Sequence, residues 1–141
     1  MSVEYLREWK HDATVAEIAK VKFPFPNEEF PDLETIVNEP TPRISIGTDG
    51  TGELYPDIVV VKKPGQWLRL IAEVATEETM TDEAAKGEWK QFGELGELYL
   101  YVPTGCGKKA KDLCRKHGVK VKGIRTWRYR PVWGLAVSEA V

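Results

Sequence analysis

Apolar positions change period along the chain, and the changes mark its elements. Val15, Ile18, Ala19 and Val21 recur at roughly helical spacing, and Thr14 with Glu17 has the spacing of a capping box, so 14–22 is expected to be helical. A shorter helix over 3–10 is expected to precede it. Between residues 23 and 42, Pro24, Pro26, Pro31, Pro40 and Pro42 break any long regular run, leaving room for one helical turn or short helix over 32–38.

From residue 43 the period is that of strands. RISIG at 43–47 alternates polar and apolar, and TDGTGE after it reads as a turn. DIVVVK at 57–62 is a β-branched run, KPG at 63–65 a tight turn, and QWLRLIAEVAT at 66–76 a second long strand, so the three runs form an antiparallel meander. Thr81 caps a helix over 81–95 with Ala85, Trp89 and Phe92 on its buried stripe, and Gly96 stops it. A strand at 97–102, a basic helix at 108–117 closed by Gly118, and a strand region at 119–130 complete the chain. The order α-βββ-α-β-α-β predicts an α/β fold, a mixed sheet flanked by helices on both faces.

With 141 residues, 42% hydrophobic and 30% charged, the chain has the composition of an ordinary folded domain. A chain this long buries roughly 70% of its unfolded surface and needs no staple. One domain over 1–141 is expected, with an N-terminal helix and proline-rich segment at 1–42 and the core at 43–130. No apolar run approaches the ~18 residues of a membrane span, and the charged N-terminus MSVEYLREWKHD has no apolar signal core, so a cytoplasmic location is expected. Cys106 and Cys114 then read as reduced thiols, and with His11 and His117 they lack the spacing of a zinc site. Ser2, Ser45 and Ser138 lie in no GxSxG turn, and TGCGKKAK lacks the spacing of a phosphate loop. Any metal chemistry must rest on carboxylates.

The net charge of −2 hides a division: residues 1–103 carry 10 basic and 20 acidic side chains, whereas 104–131 carry 10 basic and only Asp112. Lys108, Lys109, Lys111, Arg115, Lys116, Arg125 and Arg128 form the expected footprint for a phosphate backbone, interleaved with Trp127 and Tyr129. A solvated face is the plain alternative. Trp67, Trp89, Trp127 and Trp133 are expected in the core, and Glu77, Glu78, Asp82 and Glu83 suit the start of the helix that follows.

In the strand at 66–76, Trp67, Arg69, Ile71, Glu73 and Ala75 share one face and Leu68, Leu70, Ala72 and Val74 the other. Pairing about the turn at 63–65 sets Val61 and Asp57 opposite positions near Leu68 and Glu73. Two carboxylates then meet at one end of the sheet, where a cation between them offsets their repulsion. Oxygen ligands of this kind suit Mg²⁺ or Mn²⁺.

Pro56–Asp57, a strand, a turn, and a strand bearing Glu73–Val74–Ala75 resemble the PD-(D/E)XK nuclease superfamily. The helix with WKQF at 89–92, the strand YLYVP, a helix and a strand with GIRTW extend that resemblance over about 43–130. It implies a restriction-endonuclease-like fold and metal-dependent hydrolysis of DNA, with Asp57, Glu73 and the Val74 carbonyl binding Mg²⁺ or Mn²⁺. The family's lysine falls at Ala75, a departure that removes a group worth about 10²–10³ in rate. Lys86 and Lys90, four apart on the following helix, and Gln91 beside them are the candidate replacements. Glu17 is an outlying candidate acid, explained more simply as a solvated helix residue. The alternative is a degenerate relative that binds nucleic acid or a protein partner, a homodimer included.

Overall fold

The computed structural model describes residues 3–50, 52–130 and 134–139. Three helices flank one six-stranded mixed sheet among these residues. Helix α1 is Val3–Lys22 and strand β1 is Leu33–Val37. Strands β2 (Ile58–Lys62) and β3 (Trp67–Val74) form the hairpin. Helix α2 is continuous from Asp82–Ala84 through a π-helical stretch, Ala85–Trp89, into Lys90–Leu95. Strand β4 is Leu98–Pro103, α3 is Gly107–His117, β5 is Gly123–Arg130 and β6 is Gly134–Glu139.

The strands lie in chain order, β1 to β6. β1–β2–β3 is antiparallel, β3–β4–β5 is parallel, and β6 returns antiparallel to β5. Two large cores form on opposite faces, with a smaller cluster of Ile36, Val59 and Val61 under Ile44 and Ile46. Val15, Ile18, Ala19 and Phe23 of α1 pack on Ile58, Val60, Ala72, Val74 and Tyr101. Trp89 and Phe92 of α2 with Ala110 and Leu113 of α3 pack on Ile71, Leu98, Leu100 and Ile124. The alternation read for β3 holds from Leu70 onward, with Ile71 and Ala75 facing α2 and Ala72 and Val74 facing α1, but the bulge between Val60 and Val61 turns Leu68 to the Ile71 side, against Gly96. Gly118 ends α3 in the left-handed conformation (φ 67°), as expected of a helix-closing glycine. Gly93 lets α2 press on the loop after α3, where an added Cβ would lie 2.3 Å from the Lys120 carbonyl oxygen.

The N-terminal third departs from expectation. α1 is one helix rather than two, and Thr14 is not its cap but an interior residue, its hydroxyl donating to the Lys10 carbonyl at 2.7 Å. The segment 32–38 is no helix: the β-branched run Thr35–Ile36–Val37 supplies β1, which pairs with β2 from Leu33↔Lys62 to Val37↔Ile58. RISIG at 43–47 stays outside the sheet. The side-chain oxygen of buried Asn38 takes the N–H groups of Arg43 and Ile44, at 2.8 and 2.9 Å, which would otherwise serve a ladder. The last strand region begins at Gly123 rather than 119, and β6 was not anticipated. Trp89 and Trp127 are buried as expected, but Trp67 is 72% exposed at the hairpin, and Trp133 lies outside the described residues. No helix among the described residues is long and apolar enough to cross a membrane.

Candidate metal centre

The hairpin register settles the first question about the two acids. Ile58 pairs with Ala72, so the preceding Asp57 stands opposite Glu73, near where the turn at 63–65 placed it and brought into line by the bulge between Val60 and Val61. Glu73 Oε1 accepts the Asp57 backbone N–H at 2.9 Å, and Asp57 Oδ2 accepts the Val74 N–H at 2.8 Å. The two carboxylates thus close the frayed end of the ladder reciprocally. Both line one pocket of about 210 Å³, together with His11, Glu39, Val74 and Glu88.

Two of those residues come from the misread N-terminal third. His11 lies one helical turn before Val15 and two before Ile18, on the stripe that packs α1 against the sheet, so burial of that stripe carries the imidazole to the strand ends. Its Nε2 is 3.0 Å from the Val74 carbonyl oxygen and 3.2 Å from Asp57 Oδ2, while Nδ1 is 3.4 Å from Asp12 Oδ1. Acceptors at both ring nitrogens suit the doubly protonated imidazolium. Glu39 is delivered by its neighbour: Asn38 donates its backbone N–H to the Asp57 carbonyl (3.0 Å) and its side-chain amide to the Pro56 carbonyl (2.7 Å). One ligand atom each from His11, Glu39 and Asp57 lies within 4.8 Å of the others.

The electrostatics reflect five acids, Asp12, Glu39, Asp57, Glu73 and Glu88, around one histidine. Burial alone would lower the His11 pKa, but the hydrogen bond to Asp57, the Asp57 charge and the Val74 carbonyl outweigh it and raise it to about 9. Burial, then the Asp57 charge, pushes Glu39 up to about 7, with His11 partly offsetting them. Glu73 is raised well above the ordinary carboxylate range by burial first and by Asp57 beside it. Glu88 is raised by burial, then by Asp57 and Asp49. The three glutamates are raised by burial first and by the neighbouring Asp57 charge second, and His11 by Asp57 against burial.

The carboxylate oxygens of Asp57 and Glu39 with one imidazole nitrogen of His11 form a donor set that could hold a metal ion. Of the sequence-derived candidates, Asp57, Glu73 and Val74 come together here. Lys86, Lys90 and Gln91 are not part of the pocket lining, and both lysines are exposed. Ala84, Glu88 and Trp89 line the pocket instead, and positions 86 and 90, two residues on from Ala84 and Glu88, fall on the far side of the helix. Ala75 lines the wall, and no lysine or arginine does so among the described residues. Glu17 is exposed and apart from the pocket.

The basic segment does not form one surface. Lys108, Lys109, Arg115 and Lys116 are exposed on α3, with Lys111 half-buried; Lys116 pairs with Asp82 at 2.9 Å and Arg115 with Asp112 at 3.8 Å. Arg125 is on the opposite face of β5 from Ile124, hydrogen-bonded to the Tyr101 hydroxyl and Glu139 (both 2.8 Å) and stacked 4.8 Å above the Tyr99 ring. Arg128 is exposed, with the parity of Ile124. Comparison with known protein families, curated proteins and solved structures finds no match.

Proposed function

We propose that this pocket binds a divalent cation, Mn²⁺ ahead of Mg²⁺, and hydrolyses phosphodiester bonds in DNA, in the manner of the PD-(D/E)XK nucleases and their restriction-endonuclease-like fold. The observation that carries the reading is the convergence of His11, Glu39 and Asp57 within 4.8 Å, with Glu73 hydrogen-bonded to the backbone of Asp57. Asp57 and Glu73 hold the ion from the sheet, His11 from α1 and Glu39 from the loop that Asn38 fixes. A bound cation would neutralise charge on the scissile phosphate and acidify the attacking water. Glu88, facing the site from α2 with a raised proton affinity, takes the water's proton where the resemblance places a lysine. A carboxylate there cannot stabilise developing negative charge, so turnover about 10²–10³ below a lysine-bearing site is expected.

The test is cleavage of plasmid and single-stranded DNA with Mn²⁺ by wild type, Asp57→Asn and Ala75→Lys. Activity lost in the first variant and increased in the second supports the reading; intact substrate with all three proteins removes it. A second reading, a non-catalytic binding module, is favoured by one observation. Protonated His11 already pairs with Asp57 at 3.2 Å, so the fold can neutralise that acid without metal. Metal binding without cleavage would select it.

A further inference from the structure

We propose that Tyr55 is a stacking platform for an unpaired nucleobase, so that the pocket takes single-stranded rather than duplex nucleic acid; this rests on the metal-dependent reading of the same pocket. Tyr55 lines the pocket and is 39% exposed, yet its neighbours are anchored on both sides. Leu54 is buried in the core under α2, and the Pro56 carbonyl is held by the Asn38 amide at 2.7 Å. The ring is therefore held at the mouth by fixed backbone two residues before Asp57, and its hydroxyl has no hydrogen-bond partner among the described residues.

The rest of the lining explains why a neutral contact matters. Glu39, Asp57, Glu73 and Glu88 face His11, and no lysine or arginine joins them among the described residues. Glu77 and Glu78, just before the lining residue Thr79, are exposed. A duplex brings one charge per ~1.7 Å of axis to such a rim and hides its base faces in the stack. A single strand offers one phosphate to the ion and one bare π-face to the ring, a contact worth roughly ten- to a hundredfold in affinity.

The experiment measures binding of labelled single-stranded oligothymidylate, an abasic chain of equal length and the matching duplex, with Mn²⁺ and with EDTA. Wild type, Tyr55→Phe and Tyr55→Ala are compared, with the Mn²⁺-induced melting shift recorded for each. The expected result is preference for oligothymidylate over both other probes by about ten- to a hundredfold, kept in Tyr55→Phe and lost in Tyr55→Ala, whose melting shift is unchanged. Equal affinity for thymidylate and abasic chains, an unaffected Tyr55→Ala variant, or no binding of any probe overturns the stacking role. A melting shift that persists while the preference is absent leaves the metal site standing; a Tyr55-dependent preference without any melting shift removes the metal site alone.

Discussion

His11 with Asp57 and His117 with Asp82 are the same two side chains in two environments. At the surface, His117 Nε2 lies 2.6 Å from Asp82, which is 48% exposed and also receives Lys116 at 2.9 Å. His117 and Lys116 share one acid, and their hydrogen bonds hold Asp82 down to about 2. In the pocket, Asp57 is 5% exposed, and one histidine serves it together with Glu39, Glu73 and Glu88. There the strain emerges in the partners, with His11 raised to about 9 and Glu39 to about 7. The surface pair is complete, a tether between α2 and α3. The pocket pair is short of positive charge at a site whose central acid is almost fully buried.

Removing Asp57 should break the contrast most. Asp57→Ala strips the Val74 N–H of its acceptor and His11 of its buried carboxylate partner, an expected loss of about 3 kcal/mol in urea unfolding, with metal-dependent activity abolished. Next in size is pH. Glu39 sits at about 7 rather than 4.5 and His11 at about 9 rather than 6.5. Values raised by folding give stability that is whole below the unfolded pKa and lost as pH climbs through the folded one. Denaturant unfolding of the metal-free protein should show stability falling between about pH 5 and 9, by about 3 kcal/mol after allowance for solvent screening. Saturating Mn²⁺ should flatten that decline, because the ion replaces the protons. Asp82 has the opposite sign: its contribution is present above 3.8 and lost as pH falls through about 2.

A smaller effect is expected of Glu39→Gln. It should stabilise the metal-free protein at pH 8 by about 1 kcal/mol and weaken Mn²⁺ binding at least tenfold by calorimetry. Smallest is Asp82→Asn, which should leave Mn²⁺ affinity unchanged in the same titration and the melting temperature nearly so.

The half of the site on the hairpin was legible because short-range rules govern it. A turn at 63–65 and a period of two place Asp57 within one residue of Glu73. The turn register Lys62↔Trp67, carried straight on, would set Asp57 opposite Ala72, and the bulge between Val60 and Val61 supplies the one-residue shift that brings Glu73 there. His11 and Glu39 were not legible, since His11 reaches Asp57 across 46 residues through packing of α1, and Glu39 through the hydrogen bonds of Asn38. An uninterrupted α1 continuing the Val15 and Ile18 stripe back to residue 11 was the available signal, hidden by reading Thr14 as a cap. Lys86 and Lys90 share a helix face, but which face meets the pocket is set by the burial of Ala85, Trp89 and Phe92, and it is that of Ala84 and Glu88.

The most direct measurement is the melting temperature of wild type and Asp57→Asn during Mn²⁺ titration at pH 8. A pocket short of positive charge predicts a saturable rise in wild type, reaching about 2.7 kcal/mol of added stability at a hundredfold excess over Kd, and no rise in the variant. A wild-type curve that ignores Mn²⁺, or a variant that follows it equally, would contradict the metal site.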